Sequence, residues 1–213
     1  MPFLARRARP AALVLLLAAA FCAPAAAAPL RGEAARGGDA PLPGQLLIAS
    51  PSMGDPRFYH AVVLILHHDK GGAFGLVINR PVGERSIKRL LADIGDDKAT
   101  DVTGSLRVFA GGPVEPQLGF VVHTPDYRGT GTLVIDDEVA MTSSRAILAD
   151  IGHRRGPKKS LIAFGYAGWA AGQLEAELAD HAWYTAPGDP ALIFDAPRAE
   201  LWNDAMARRL REL

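Results

Sequence analysis

Two short stretches set polar or bare backbone at the ends of apolar runs, where binding chemistry is commonly placed. Asn79-Arg80-Pro81 closes the run beginning at Phe74, and Gly111-Gly112-Pro113 lies between two further runs. A guanidinium beside exposed loop amides suits a carboxylate or phosphate ligand. The competing reading pairs Arg80 with an internal carboxylate and gives the glycines turn positions. A third stretch, Ser160 to Leu178, reads as a strand over Leu161–Phe164, then a sharp turn through Gly165-Tyr166-Ala167-Gly168. A helix carrying Gln173, Glu175 and Glu177 follows. Unpaired amides at such a turn would admit a backbone anion site that includes Tyr166 and Gly168. The alternative is purely architectural, a tight turn allowing close helix–sheet packing.

The familiar catalytic patterns lack their key residues. A nucleophile elbow needs serine at the apex of Gly-x-Ser-x-Gly, and the apex here is Ala167. A phosphate-cradling loop needs Lys-Ser/Thr after its second glycine, whereas Gly172 precedes Gln173-Leu174. Glu175 and Glu177 stand two positions apart on a helix and do not converge by themselves, so they read as a solvated face. His60, His67, His68 and His123 could be combined with Asp55 or Asp69 only if the fold brought them together. His67 and His68 point to opposite faces of one strand, and no metal is expected. Ser52, Thr142, Ser143 and Ser144 have no evident activating partner, and those near residue 143 read as helix caps.

Charge and compartment narrow the classes further. The 23 basic and 23 acidic residues balance, but Arg6, Arg7 and Arg9 lie in an amino-terminal segment without acids. Removing that segment leaves 20 basic residues against 23 acidic. A slightly acidic chain does not fit a nucleic-acid partner held by phosphate neutralisation. Residues 1–28 read as a signal peptide, with the arginines, an apolar core from Ala11 to Cys22 and Ala-x-Ala cleavage choices over Ala23–Ala28. This predicts a periplasmic or secreted protein; a misassigned start adding upstream sequence is the alternative. Cys22 is the sole cysteine. Its removal would leave no disulfide, thiol nucleophile or cysteine ligand. Residues 29–41 read as a flexible linker and 42–213 as one domain, with no transmembrane segment in the mature chain.

The elements that must position these residues follow from periodicity. Gln45–Ala49 reads as a short strand, and Ala61–Leu66 is a continuous apolar run, as in a strand covered on both faces. Asp69-Lys70-Gly71-Gly72 makes a hairpin turn into Phe74–Asn79, and Pro81 ends that strand. Ile87, Leu90, Leu91 and Ile94 keep helical spacing up to Gly95. Strands are expected at Leu106–Phe109, Gly119–His123, Leu133–Ile135 and Ala191–Phe194. Further helices are expected after Thr142 or Ser143 and after Pro197. Hairpins mixed with scattered helices predict an α+β fold with a mixed, largely antiparallel sheet.

Five ordered stretches also resemble one family. They are GQLLIASPSMGDPRFYHAVVLILHHDKGGAFGLVINRP, GGPVEPQLGFVVHTP, MTSSRAILADIG, FGYAGWAAGQLEAEL and the WYTAPGDPALIF segment ending at Phe194. Together they are similar to the bacterial YqgE/AlgH family over roughly Leu42 to Leu210. The resemblance implies a bifurcated sheet folded into a pseudo-barrel and flanked by about four helices. It brings a regulator label from one branch, linked to exopolysaccharide control, a cytoplasmic location among relatives, and no catalytic residue. The expectation is a non-enzymatic binding or regulatory module without a cofactor, acting on a protein or a small anionic ligand. The alternatives are an enzyme with a polar cleft near Arg80, Gly111-Gly112, His123 and Tyr166, and a transcriptional regulator as the family label suggests.

Overall fold

A computed structural model describes residues 42–96 and 101–210. The segments read as signal peptide and linker lie outside the described residues. The sheet is built from β1 (Leu46–Ala49), β2 (Val62–Asp69), β3 (Gly72–Val77), β4 (Pro81–Ser86), β5 (Ser105–Ala110), β6 (Val114–His123), β7 (Thr132–Val134), β8 (Ala140–Thr142), β9 (Ser160–Ala170) and β10 (Trp183–Ala186). Four helices accompany it among the described residues: α1 (Ile87–Asp93), α2 (Ala146–Gly152), α3 (Gln173–Ala179) and α4 (Leu201–Ala207). The strand order is β10-β1-β2-β3-β9-β6-β8-β7, with β4 and β5 branching off β9. All pairings are antiparallel except β5 with β9. The architecture is the expected α+β, with a curled, bifurcated sheet.

The bifurcation is made by β9. Its Ile162–Phe164 portion pairs with β5, its Ala167–Ala170 portion with β3, and its first seven residues carry β6 along the other edge. The expected turn at Gly165–Gly168 is therefore corrected: these residues continue one eleven-residue strand, and α3 starts at Gln173. Gly165 does take a left-handed φ of 72°. That conformation kinks the strand where it changes partner from β5 to β3, instead of ending it.

Both faces of β1 and β2 are covered, which is why their sequences do not alternate. Leu46, Ile48, Leu64, Leu76 and Phe109 face a core closed by Leu201 and Ala205 of α4. Leu47, Val63, Ile65 and Trp169 face a second core beneath Leu174 of α3. A third cluster joins Ile87, Leu90 and Leu91 of α1 to Ile147 and Leu148 of α2 across Val108, Val121 and Ile162. No helix among the described residues is long and apolar enough to cross a membrane.

Three further expectations are corrected. Ala191–Asp195 is a π-helical turn, not a strand; the Asp189 carboxylate accepts from the Ala191 amide at 2.8 Å and initiates it. A short apolar run has no period to tell these states apart. Pro81 begins edge strand β4 instead of ending β3, a position where a missing N–H is tolerated. Thr142 belongs to β8, and it is the Ser144 hydroxyl that accepts from the Ala146 amide at the start of α2.

Candidate functional site

Asn79 and Arg80, at the carboxyl end of the buried hairpin, hold a loop. The Asn79 side-chain oxygen accepts from the Val62 amide at 3.0 Å, and its NH2 donates to the His60 carbonyl at 2.8 Å. Arg80 Nη1 donates to the Arg57 carbonyl and Nη2 to the Tyr59 carbonyl at 3.1 Å. These acceptors are main-chain carbonyls, and not the internal carboxylate that was the competing expectation for Arg80. Burial lowers the Arg80 pKa, partly offset by Asp55.

The clamped loop, residues 50–61, is ordered from within as well. A 3₁₀ turn at Pro56–Phe58 is capped by Asp55, whose carboxylate accepts from the Arg57 amide at 2.9 Å and from the Arg57 guanidinium at 2.7–3.1 Å. The guanidinium holds the Asp55 carboxyl below its usual range. His60 has a left-handed φ of 53°, uncommon for a residue with a side chain. Its ring stacks between Tyr59 at 4.0 Å and Trp202 of α4 at 4.1 Å, and the Trp202 indole donates to the Ala49 carbonyl at 2.9 Å. Tyr59 is left 55% exposed at the end of the stack. The Asn79 and Arg80 clamp, the Asp55 cap and the stack on His60 and Trp202 thus fix one exposed aromatic ring.

Gly111 and Gly112 pack closely against the backbone of β9. Gly111 donates to the Phe164 carbonyl at 2.7 Å and accepts from the Val77 amide at 2.8 Å. A Cβ on Gly112 would lie 2.0 Å from the Tyr166 carbonyl carbon. The Tyr166 ring packs at 5.0 Å from Phe74 and 6.3 Å from Phe120; burial, then the Glu115 charge, raises its hydroxyl pKa. Gly168 is the register partner of Phe74. Arg80, Gly111, Gly112 and Tyr166 therefore adjoin along a backbone seam, where the Ala110 amide donates to the Arg80 carbonyl at 2.9 Å. His123 is not part of it: it sits at the other end of β6, opposite Ser160.

His123 is fully buried and fully partnered. Its Nδ1 is 2.8 Å from the Thr124 carbonyl and so donates, leaving Nε2 to accept from the Thr142 hydroxyl at 2.9 Å. Burial pushes its pKa below 6.5. The unfolded chain therefore binds a proton that the native chain refuses. The contribution to stability is complete above pH 6.5 and declines as pH falls from there toward the depressed native value. Urea midpoints measured between pH 7.5 and 5.0 are expected to fall, and His123→Gln should flatten that slope. An unchanged slope would show that another group sets it.

A match to the AlgH-like family extends over residues 46–212. UPF0301 proteins from Jannaschia sp. and Sphingopyxis alaskensis are 47% and 43% identical, covering 78% and 77% of this chain and 86% and 87% of their own lengths. The chain belongs to the AlgH-like family. The solution structure of the AlgH protein from Pseudomonas aeruginosa is 41% identical, with a TM-score of 0.68 over 82% of this chain and 92% of that one. A crystal structure of a Corynebacterium diphtheriae protein, 25% identical, gives a TM-score of 0.64 over 81% and 89%.

In this AlgH-like chain the remaining titratable candidates form pairs. His67 lies 3.0 Å from Asp69 and His68 2.7 Å from Glu175, on opposite sides of β2 as expected. Among the described residues no group of three or more His, Cys, Asp or Glu could hold a metal ion. Glu177, read from sequence as solvated, instead accepts from the indoles of Trp169 and Trp183, both at 2.8 Å. A hollow beside α1 and α2, lined by Leu90, Ile94, Val121, Leu148 and Phe164, encloses about 30 Å³. That is room for a water, whereas ligand pockets start at roughly 300 Å³.

Proposed function

We propose that this AlgH-like chain is a non-enzymatic binding module that presents the loop around Tyr59 to a partner protein. The observation that carries this reading is the clamp. Asn79 and Arg80 hold the carbonyls of Arg57, Tyr59 and His60, keep His60 left-handed, and leave the Tyr59 ring facing solvent. Backbone strain of this kind persists only where the surroundings over-determine it, and it concentrates at functional loops. Exposed, preorganised Tyr beside Arg suits protein recognition, since both residues are enriched at interface hot spots and a rigid loop loses little entropy on binding.

Catalysis finds less support. The enzyme alternative needs Arg80, His123 and Tyr166 around one cleft, yet the Arg80 guanidinium is occupied by carbonyls and His123 lies in the core. A photo-crosslinking residue placed at Tyr59 in the full chain tests the proposal in the native host, with one at the exposed hairpin residue Lys70 as reference. The expected result is a discrete product from position 59, absent from position 70 and lost when Asn79→Ala is added. Equal products at both positions, or none at 59, would overturn the reading.

A further inference from the structure

The loop after α2 carries more positive charge than its own contacts consume. It reads His153-Arg154-Arg155-Gly156-Pro157-Lys158-Lys159, and no Asp or Glu occurs between Asp150 and Glu175. All of its basic side chains are exposed. The loop lies beside the one leaving β6, because Ser160 pairs with His123 and the Thr124 amide donates to the Lys159 carbonyl at 3.1 Å. That second loop adds Arg128, also exposed.

Three acids engage these loops. Asp150 accepts from Arg155 at 3.1 Å and from the Tyr127 hydroxyl at 2.8 Å. Asp126 accepts from the Lys158 amide at 3.1 Å, and Asp195 pairs with Lys159 at 2.5 Å. Arg128, Arg154 and Lys158 make no side-chain hydrogen bond or ion pair among the described residues. Arg128, Arg154, Arg155, Lys158 and Lys159 thus outnumber the acids, and the charge of about −0.5 at the carboxyl end of α2 does not cancel the excess. The backbone beneath them is fixed. The Lys159 amide donates to the Thr124 hydroxyl at 3.2 Å, and Arg154 holds a left-handed φ of 60° at a helix end, where glycine is favoured. None of the exposed large hydrophobic side chains among the described residues belongs to either loop. Protein hot spots are built on aromatic anchors, whereas cations on long stems without such an anchor suit a diffuse array of negative charge, whose attraction needs no pocket.

We propose that the loops at residues 124–131 and 153–159 form a contact surface for the anionic headgroups of a lipid bilayer, with Arg128, Arg154 and Lys158 as the cations that reach it. The surface is built on other elements than the Tyr59 loop and does not require that a protein partner bind there.

The test is flotation of the full chain, purified from its native host, with mixed phosphatidylglycerol–phosphatidylcholine vesicles and with vesicles of phosphatidylcholine alone, at low and at high salt. The expected result is stronger binding to the mixed vesicles, with the difference suppressed by salt. Each cation near an anionic surface contributes about fivefold, so Arg154→Gln with Lys158→Gln should weaken that binding about 25-fold and Arg128→Gln alone about fivefold. All variants carry the same amino-terminal segment, so their differences report the loops. The substituted side chains are exposed, so the urea midpoints should stay at the wild-type value, and Lys70→Gln on the β2–β3 hairpin should bind as wild type. Equal binding to both kinds of vesicle, or undiminished binding in the double variant and in Arg128→Gln, would overturn the proposal. Retention on duplex DNA or polyglutamate without retention on the vesicles would also overturn it, and would assign the surface to that polyanion instead.

Discussion

Gly112→Ala is expected to destabilise the protein by about 4 kcal/mol, at the upper end of what single substitutions do. The added Cβ would fall 2.0 Å from the carbonyl carbon and 2.1 Å from the carbonyl oxygen of Tyr166. Those are backbone atoms, so no side chain can swing aside. Tyr166 cannot retreat, because β9 is held by β6 on one edge and by β5 and β3 on the other. The clash must be relieved by separating β9 from the residues that join β5 to β6. A domain stable by about 5–15 kcal/mol would lose a large part of its margin. Urea unfolding followed by circular dichroism measures the loss. A loss under about 1 kcal/mol, no more than an average substitution causes, would mean that the seam is looser than described.

Glu177→Ala is expected to cost about 3 kcal/mol, because it strands the N–H groups of two buried indoles at about 1–3 kcal/mol each. Glu177 Oε2 accepts from both Trp169 and Trp183, and Oε1 accepts from Gln173 at 2.9 Å. Trp169 and Trp183 are 7% and 3% exposed and stand edge to face with ring centroids 5.9 Å apart. One carboxylate thus ties α3 to both β9 and β10. Glu177→Gln keeps an oxygen that can serve both indoles, and should recover most of the loss. The urea midpoint and the tryptophan emission of the two variants distinguish them. Equal losses for Ala and Gln would show that the shared acceptor is not what holds the helix.

Local periodicity carried much of the fold into the sequence. The two-sided burial of β2 was readable from its unbroken apolar run, and the hairpin at Asp69–Gly72 from its glycines. The helix ending near Gly95 was readable from its spacing. Gly165 and Gly168 were misleading because glycine marks a turn and a kinked strand alike, and only the change of partner from β5 to β3 decides between them.

The candidate site was legible in part for the same reason. Asn79 and Arg80 stood out as polar residues closing a buried strand, but their acceptors are main-chain carbonyls about twenty positions earlier, a tertiary fact that no local pattern encodes. Tyr59 and Trp202 are 143 positions apart and share no motif, so the stack with His60 was invisible.

The central claim is that Tyr59 on the clamped loop carries partner recognition. The measurement that tests it most directly is the affinity of the full chain for the protein crosslinked at position 59, compared among wild type, Tyr59→Ala and Lys70→Ala. Loss of a hot-spot tyrosine predicts roughly a thirtyfold weaker complex for Tyr59→Ala with an unchanged urea midpoint, and an affinity close to wild type for Lys70→Ala. Undiminished affinity in Tyr59→Ala would contradict the account.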